Sequence, residues 1–227
     1  MAEFAVEIKT LSPLHLGSGG ANVNIDADIC RDAFGLPYFP AKRFKGLLFE
    51  SAVEVFEMLE LAGFETDNLP NLDRLFRKKY FADTSDEPQL IVSNFYIKPE
   101  NLYRKLCAEW NYLQKNFPAL FSPEDVLETF TSIRYQTKLV NGVADDSTLR
   151  NLRVLNSGTD FFGTIILHGA DEKILTLLAL AVKNLNSAGG KRNRGFGKIN
   201  CSITFDDDKD ADFYIEKWRK NYAQNQL

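Results

Sequence analysis

The chain is poor in cysteine. Cys30, Cys107 and Cys201 are odd in number and widely separated. Such spacing gives neither a disulfide framework nor a cysteine metal site. Histidine is scarcer still, with only His15 and His168, so ribonuclease chemistry built on a histidine near neutral pKa has few candidates. No apolar run approaches the length of a membrane span, and there is no internal repeat or low-complexity segment. The opening stretch Ala2–Leu11 alternates polar and apolar residues instead of forming a signal-peptide core. A reducing, cytoplasmic setting is therefore expected. The net charge of −4 and pI near 5.3 argue against a protein that simply coats nucleic acid.

Acids are missing from two short stretches, and these carry the functional signal. Residues 189–198 hold four glycines and four cations, Lys191, Arg192, Arg194 and Lys198, with no carboxylate. Glycine permits positive φ and close backbone approach. Successive N–H groups in such turns can form an anion-binding concavity, and Lys and Arg add the charge that phosphates need. Gly195 belongs to this expected phosphate cradle. Residues 40–48 carry Lys42, Arg43 and Lys45, again without an acid. Cations at a helix start oppose the helix dipole, so an anionic partner makes better physical sense there. The acids gather elsewhere, around 83–87, 124–128 and 206–212, leaving a bipolar surface.

At 227 residues with 44% hydrophobic composition, one sizeable core is affordable. Phe4, Val6 and Ile8 alternate as a strand. A helix starts near Ala41, and 63–88 reads as irregular, with a helical patch at 72–77. Leu90–Ile97 reads as a strand, and Leu102, Leu106, Trp110 and Leu113 recur at helical spacing. Ser122-Pro123-Glu124-Asp125 is a helix start. Asn141-Gly142 marks a hairpin turn between Arg134–Val140 and the run from Val143. A strand at Phe161–Leu167, a helix at Lys173–Leu185, a strand at Phe196–Phe205 and a tail helix at Asp212–Tyr222 complete the chain. The skeleton strand, helix, strand, strand, helix, strand predicts an α+β single domain over 1–227. Its palm is ferredoxin-like, the order shared with RNA-recognition modules. Two large inserts interrupt it: an acidic, glycine-rich loop at 12–40, and a helical and hairpin region at 99–158. Inserts of this size are usually functional.

Leu14-His15-Leu16-Gly17-Ser18-Gly19, then Asp32-Ala33-Phe34-Gly35-Leu36-Pro37-Tyr38-Phe39-Pro40, then Phe44-Lys45-Gly46-Leu47-Leu48 resembles the N-terminal signature of RAMP proteins, the repeat-associated proteins of CRISPR effector complexes. Gly142–Arg150, Gly158-Thr159-Asp160-Phe161 and Gly189–Gly197 resemble its middle and its C-terminal glycine loop. The ordered set is more specific than any one motif, and it is most similar to the small backbone subunit of type III complexes. The resemblance implies a filament along guide RNA, made of copies of this chain with other effector subunits. It also implies a thumb hairpin wedged into the guide–target duplex and cleavage of single-stranded target RNA by an acidic loop. The implied thumb is the hairpin from Arg134 to Arg153. The implied catalytic residue is Asp26, six residues before Asp32, with Asp28 as the fallback.

Asp26 would help ligate Mg²⁺, which prefers carboxylate and water oxygens, in a metal-dependent endoribonuclease reaction with the ribose 2′-hydroxyl as nucleophile. Plain turn formation is the competing explanation for both acids. Arg134, Lys138, Arg150 and Arg153 leave the thumb net positive after Asp145 and Asp146 are subtracted, and Ile133, Tyr135 and Leu139 alternate as candidate wedges against bases or as ordinary hairpin core residues. The alternatives are a structural RAMP subunit that grips RNA without cutting, a CRISPR RNA-processing endoribonuclease using a histidine, and a protein–protein adaptor using the acidic face.

Overall fold

The computed structural model describes residues 1–21, 24–64, 66, 69–76 and 89–225. The acidic stretch at 83–87 and the end of the 72–77 helical patch lie outside them. β1 (Ala2–Thr10) leads through a long loop to α1 (Ala41–Leu61) and the short α2 (Leu72–Leu75). β2 (Gln89–Val92) and β3 (Tyr96–Ile97) precede α3 (Glu100–Asn116) and α4 (Pro123–Phe130). The hairpin region follows as β4 (Thr131–Gln136), β5 (Leu139–Val140), β6 (Val143–Ala144) and β7 (Arg150–Leu155). β8 (Asp160–His168), α5 (Glu172–Asn184), β9 (Ile199–Thr204) and α6 (Ala211–Asn225) close the chain.

The architecture mixes helix and sheet, as expected. The main sheet runs in the order β2, β8, β1, β9, with β3 continuing the β2 side of β8. All of these pairings are antiparallel. β1 is central: Val6 faces Gly163 on one neighbour and Ile203 on the other. Its alternation buries Phe4, Val6 and Ile8, joining one core with α1 and α5. The two helices pack side by side, and the Ser51 hydroxyl donates to the Ala181 carbonyl at 2.7 Å. An aromatic cluster sits under the start of α1. Phe39 meets the rings of Phe44, Phe95 and Phe161 edge-on at 6.2, 6.2 and 6.4 Å, each such pair contributing about 1 kcal/mol beyond its burial. Gly163 makes room for it, since a Cβ there would lie 2.6 Å from the Phe95 ring.

Three elements depart from the sequence reading, each for a local reason. The strand expected over Leu90–Ile97 is broken between β2 and β3. There Phe95 exchanges backbone hydrogen bonds with Phe39 at 2.9 Å, and the Asn94 side chain accepts from the Ala41 N–H. The hairpin strand expected over Arg134–Val140 stops at Gln136. Beyond it the Thr148 hydroxyl accepts from the Lys138 N–H at 3.1 Å and donates to the Asp145 carbonyl at 2.7 Å, replacing ladder bonds. The tip still turns at Asn141-Gly142, both with positive φ (50° and 83°), as a tight primed turn requires. The last strand begins at Ile199 and not Phe196, because Gly197 is left-handed (φ 80°). The helix start at Ser122 is a full capping box with Asp125.

Candidate nucleic-acid interface

The glycine loop is built on backbone contacts. Gly197 donates to the Pro13 carbonyl at 2.8 Å, and its own carbonyl accepts from Ala188 at 2.8 Å. Gly190 donates to the His15 carbonyl at 3.0 Å. A Cβ would lie 2.5 Å from the His15 oxygen at Gly189 and 2.0 Å from the Ala188 oxygen at Gly197. Arg192–Arg194 form a 3-10 turn between Lys191 (φ 60°) and Gly195 (φ 80°). The N–H groups of Gly190, Arg194, Gly197 and Lys198 are engaged within the protein. The sequence reading assigned these glycines to a phosphate cradle; here Gly189 and Gly197 seat the loop on segment 13–15. What the loop presents outward is charge: Lys191, Arg192, Arg194 and Lys198 are all exposed.

The two kinds of glycine are separable by mutation. No atom lies within 4 Å of a Cβ added at Gly195. Gly195→Ala therefore meets only the left-handed penalty, roughly 1–2 kcal/mol. Gly197→Ala adds overlap with a backbone carbonyl and is expected to cost about 3 kcal/mol or more. Urea unfolding of both variants checks this, and equal losses would refute the packing role of Gly197.

At the start of α1, Lys42 is exposed, and no acid lies in the first turn. The Arg43 guanidinium donates to the Gly17 carbonyl. Lys45 turns inward, donating to the Leu90 carbonyl of β2 at 2.6 Å, so its charge is tied to the sheet edge. A Cβ on Gly46 would meet open space, so protein packing does not require glycine there.

The hairpin region has a root and a tip. At the root, β4 pairs with β7 from Thr131–Leu155 to Gln136–Arg150. The Gln136 side-chain oxygen accepts from Lys191 and, at 3.4 Å, from Arg194. An amide holds the glycine loop without neutralising it. Arg134, two residues before Gln136 on the same strand face, is exposed. Lys138 lies nearer the tip and pairs with Asp145 at 3.1 Å. Tyr135, Leu139 and Val143 are more than 60% exposed, and Ile133 is 40% exposed. Their presentation to solvent fits the wedge expectation better than a role as core residues.

Asp26 is exposed and tied to the root of this hairpin. Its Oδ2 accepts from the Asn151 N–H at 2.8 Å. The Asn151 side chain accepts from the Asp26 N–H at 2.7 Å and donates to the Asn24 carbonyl at 2.8 Å. Ala27 bridges Leu152 in the parallel sense, and Arg153 donates to the Ala27 carbonyl at 3.0 Å. The acidic loop thus runs along the edge of β7 that β4 leaves free.

Asp28 is different. It is buried, accepts from the Ile29 N–H at 2.9 Å, and lies 3.0 Å from Arg153 Nε. That Nε makes no aligned hydrogen bond, so the contact is an ion pair only. The buried Arg153 guanidinium also donates to Thr131 Oγ1 at 3.2 Å and to Glu124, which in turn holds Arg31. Asp28 is a counter-ion in this chain of charges and Asp26 is not.

Among the described residues no group of three His, Cys, Asp or Glu side chains could hold a metal ion, so they form no closed cage. Asp26 Oδ1 accepts no hydrogen bond among them. One such oxygen fits Mg²⁺ held mainly by water and substrate phosphates, and does not fit a resident structural metal.

Asn151 and Gln136 carried no signal in the sequence, and Glu124 stood out there only as part of a helix start and an acidic stretch. They act across separations of 125, 55 and 29 residues, and no local pattern announces such pairings. Conversely, the structure ties His15 down: its Nδ1 lies 2.8 Å from the Arg153 carbonyl.

No curated protein matches the sequence. Solved chains share the fold, two of them from type III-B Cmr-beta structures. One is from "Cryo-EM structure of the Type III-B Cmr-beta bound to cognate target RNA", with a TM-score of 0.60 at 12% identity over 95% of this chain and 99% of that one. The other is from "Type III-B Cmr-beta Cryo-EM structure of the Apo state", with a TM-score of 0.58 at 13% identity over 91% and 98%. The sequence profile of the RAMP superfamily matches residues 7–200, and the chain belongs to that superfamily.

Proposed function

We propose that this chain is a backbone subunit of a type III CRISPR effector complex that binds guide RNA along a filament and cleaves the complementary target RNA. One observation carries the binding half. Among the described residues, Lys42, Arg43, Arg134, Lys191, Arg192, Arg194 and Lys198 enter no ion pair with a carboxylate; what sets them apart from other unpaired cations such as Lys9, Lys105 and Lys173 is that they lie around the glycine loop, the hairpin root and the start of α1. The unpaired cations are joined through short contacts: Arg43 to Gly17, the glycine loop to His15, and Lys191 and Arg194 to Gln136. Like charges left together without acids are available to phosphates. Two further facts support the reading. Related folds occur in type III-B complexes, one with target RNA. The strand order β2, β8, β1, β9 supports a ferredoxin-like palm, a frequent RNA-binding scaffold.

For the cutting half, Asp26 stands beside the thumb root, and its Oδ1 accepts no hydrogen bond among the described residues. A Mg²⁺ ion shared between that oxygen, water and the RNA would offset charge developing at the reacting phosphate. The chain's own part is positional. The cations hold the backbone, and Tyr135, opposite Asn151 on β4 and so on the same face, offers a stacking surface near Asp26. In-line attack by the ribose 2′-hydroxyl on the adjacent phosphorus forms the 2′-O–P bond and breaks the P–O5′ bond, with the hydroxyl proton passing to water and a proton from water to the departing 5′-oxygen, leaving a 2′,3′-cyclic phosphate and a 5′-hydroxyl.

The binding half is tested by RNA affinity against salt. Lys42→Ala and Arg194→Ala are each expected to weaken binding about equally across sequences. Each should also lower the slope of log K against log salt by roughly one unit per lost phosphate contact. Unchanged affinity and slope in both variants would sink the reading and favour an adaptor acting through the acidic face. The cutting half stands or falls with Asp26→Ala.

A further inference from the structure

We infer that Asn151 is a positioning residue for Asp26: it sets where the carboxylate points and couples that setting to the thumb. The inference rests on the proposed role of Asp26. Three hydrogen bonds carry it. The Asn151 backbone N–H donates to Asp26 Oδ2 at 2.8 Å, its side-chain oxygen accepts from the Asp26 N–H at 2.7 Å, and its side-chain nitrogen donates to the Asn24 carbonyl at 2.8 Å. The first bond fixes one carboxylate oxygen and so orients the other. The second and third clamp the backbone on both sides of Ile25, leaving the loop little freedom to swing Asp26 away.

The amide is matched to this task. One acceptor and one donor are needed at the same time, about a side chain's reach from β7, and asparagine supplies both. Alanine supplies neither, and aspartate supplies only the acceptor; the backbone N–H bond to Asp26 Oδ2 survives in both, so these variants release the clamp on the loop that carries the carboxylate. The cross-strand partner of Asn151 is Tyr135, which is largely exposed. Asn151 also sits on the thumb itself. RNA that displaces the root of β4 and β7 therefore moves the clamp, and target engagement is mechanically tied to the geometry of Asp26.

The test uses the assembled, guide-loaded complex with wild-type, Asn151→Ala, Asn151→Asp and Asp26→Ala chains. Target affinity, single-turnover cleavage and backbone hydrogen exchange are measured on each. In Asn151→Ala, cleavage is expected to fall about 10- to 100-fold, the range seen when residues orienting a metal-binding group are removed. Target affinity should hold within about twofold, and exchange should quicken at residues 24–28 while β4 and β7 stay protected. Asn151→Asp, which keeps the acceptor for the Asp26 N–H, should fall between. Wild-type cleavage in Asn151→Ala, with Asp26→Ala inactive, would overturn the inference and leave the proposed function standing. Faster exchange spread over β4 and β7, with affinity lost in step with cleavage, would also overturn it and make Asn151 part of the thumb's frame only. Full cleavage in Asp26→Ala would overturn both.

Discussion

Asp26→Ala in a guide-loaded complex is expected to reduce Mg²⁺-dependent cutting of a complementary target by on the order of 10²- to 10³-fold, while guide retention stays unchanged. The size follows from the several kcal/mol that a metal's stabilisation of transition-state charge contributes. Among the described residues Asp26 Oδ1 accepts no hydrogen bond, whereas the neighbouring Asp28 is committed to Arg153. Retention should survive because Asp26 is exposed and its loop is held mainly through backbone groups of residues 24–28. The measurement is a time course with Mg²⁺ and with chelator, on wild type and variant side by side. Identical cuts in both would leave this chain a scaffold that grips RNA without cutting it.

Arg153→Ala is expected to be the most damaging single change to the fold around the site. Its guanidinium is buried and meets Asp28, Glu124 and Thr131. Truncation leaves Asp28 buried and uncompensated. Breaking a buried pair from one side costs about 3–5 kcal/mol, or roughly 6–20 °C in Tm for a chain of this size. Glu124→Gln should cost much less, since Glu124 is about one third exposed and an amide still accepts one hydrogen bond. Thermal unfolding of the two variants separates these cases. A loss near 1 kcal/mol for Arg153→Ala would mean that water reaches Asp28 and that the network is not a structural core.

The framework was legible because it is written in periodicity. Phe4, Val6 and Ile8 alternate, α5 is an apolar helix bounded by Asp171 and Leu185, and Ser122 with Asp125 spells its own cap. The cation clusters were legible because acids are absent from them. What was hidden depends on partners far along the chain. Lys45 looks the same as Lys42 in sequence, yet its ammonium finds a carbonyl on β2. Asp26 and Asp28 sit two residues apart in one polar loop. Only the approach of β7 decides that one is buried against Arg153 and the other faces solvent. The glycines of 189–197 were correctly singled out, but part of their work is tight packing on segment 13–15, which sequence spacing cannot distinguish from room for a ligand.

The position of β1 has a consequence for how this chain comes to exist in a cell. β1 lies in the middle of the sheet, and its two neighbours come much later in the sequence: β8, beginning at Asp160, and β9, ending at Thr204. During synthesis β1 must wait, unpaired on both edges, until β8 emerges, and open on one edge until β9 follows. Contacts so distant in sequence form slowly, and apolar strands left open in the meantime invite association with other chains. Yield of folded protein should therefore respond strongly to temperature and to chaperone supply, and truncation before β8 should leave the amino-terminal half without a sheet to join.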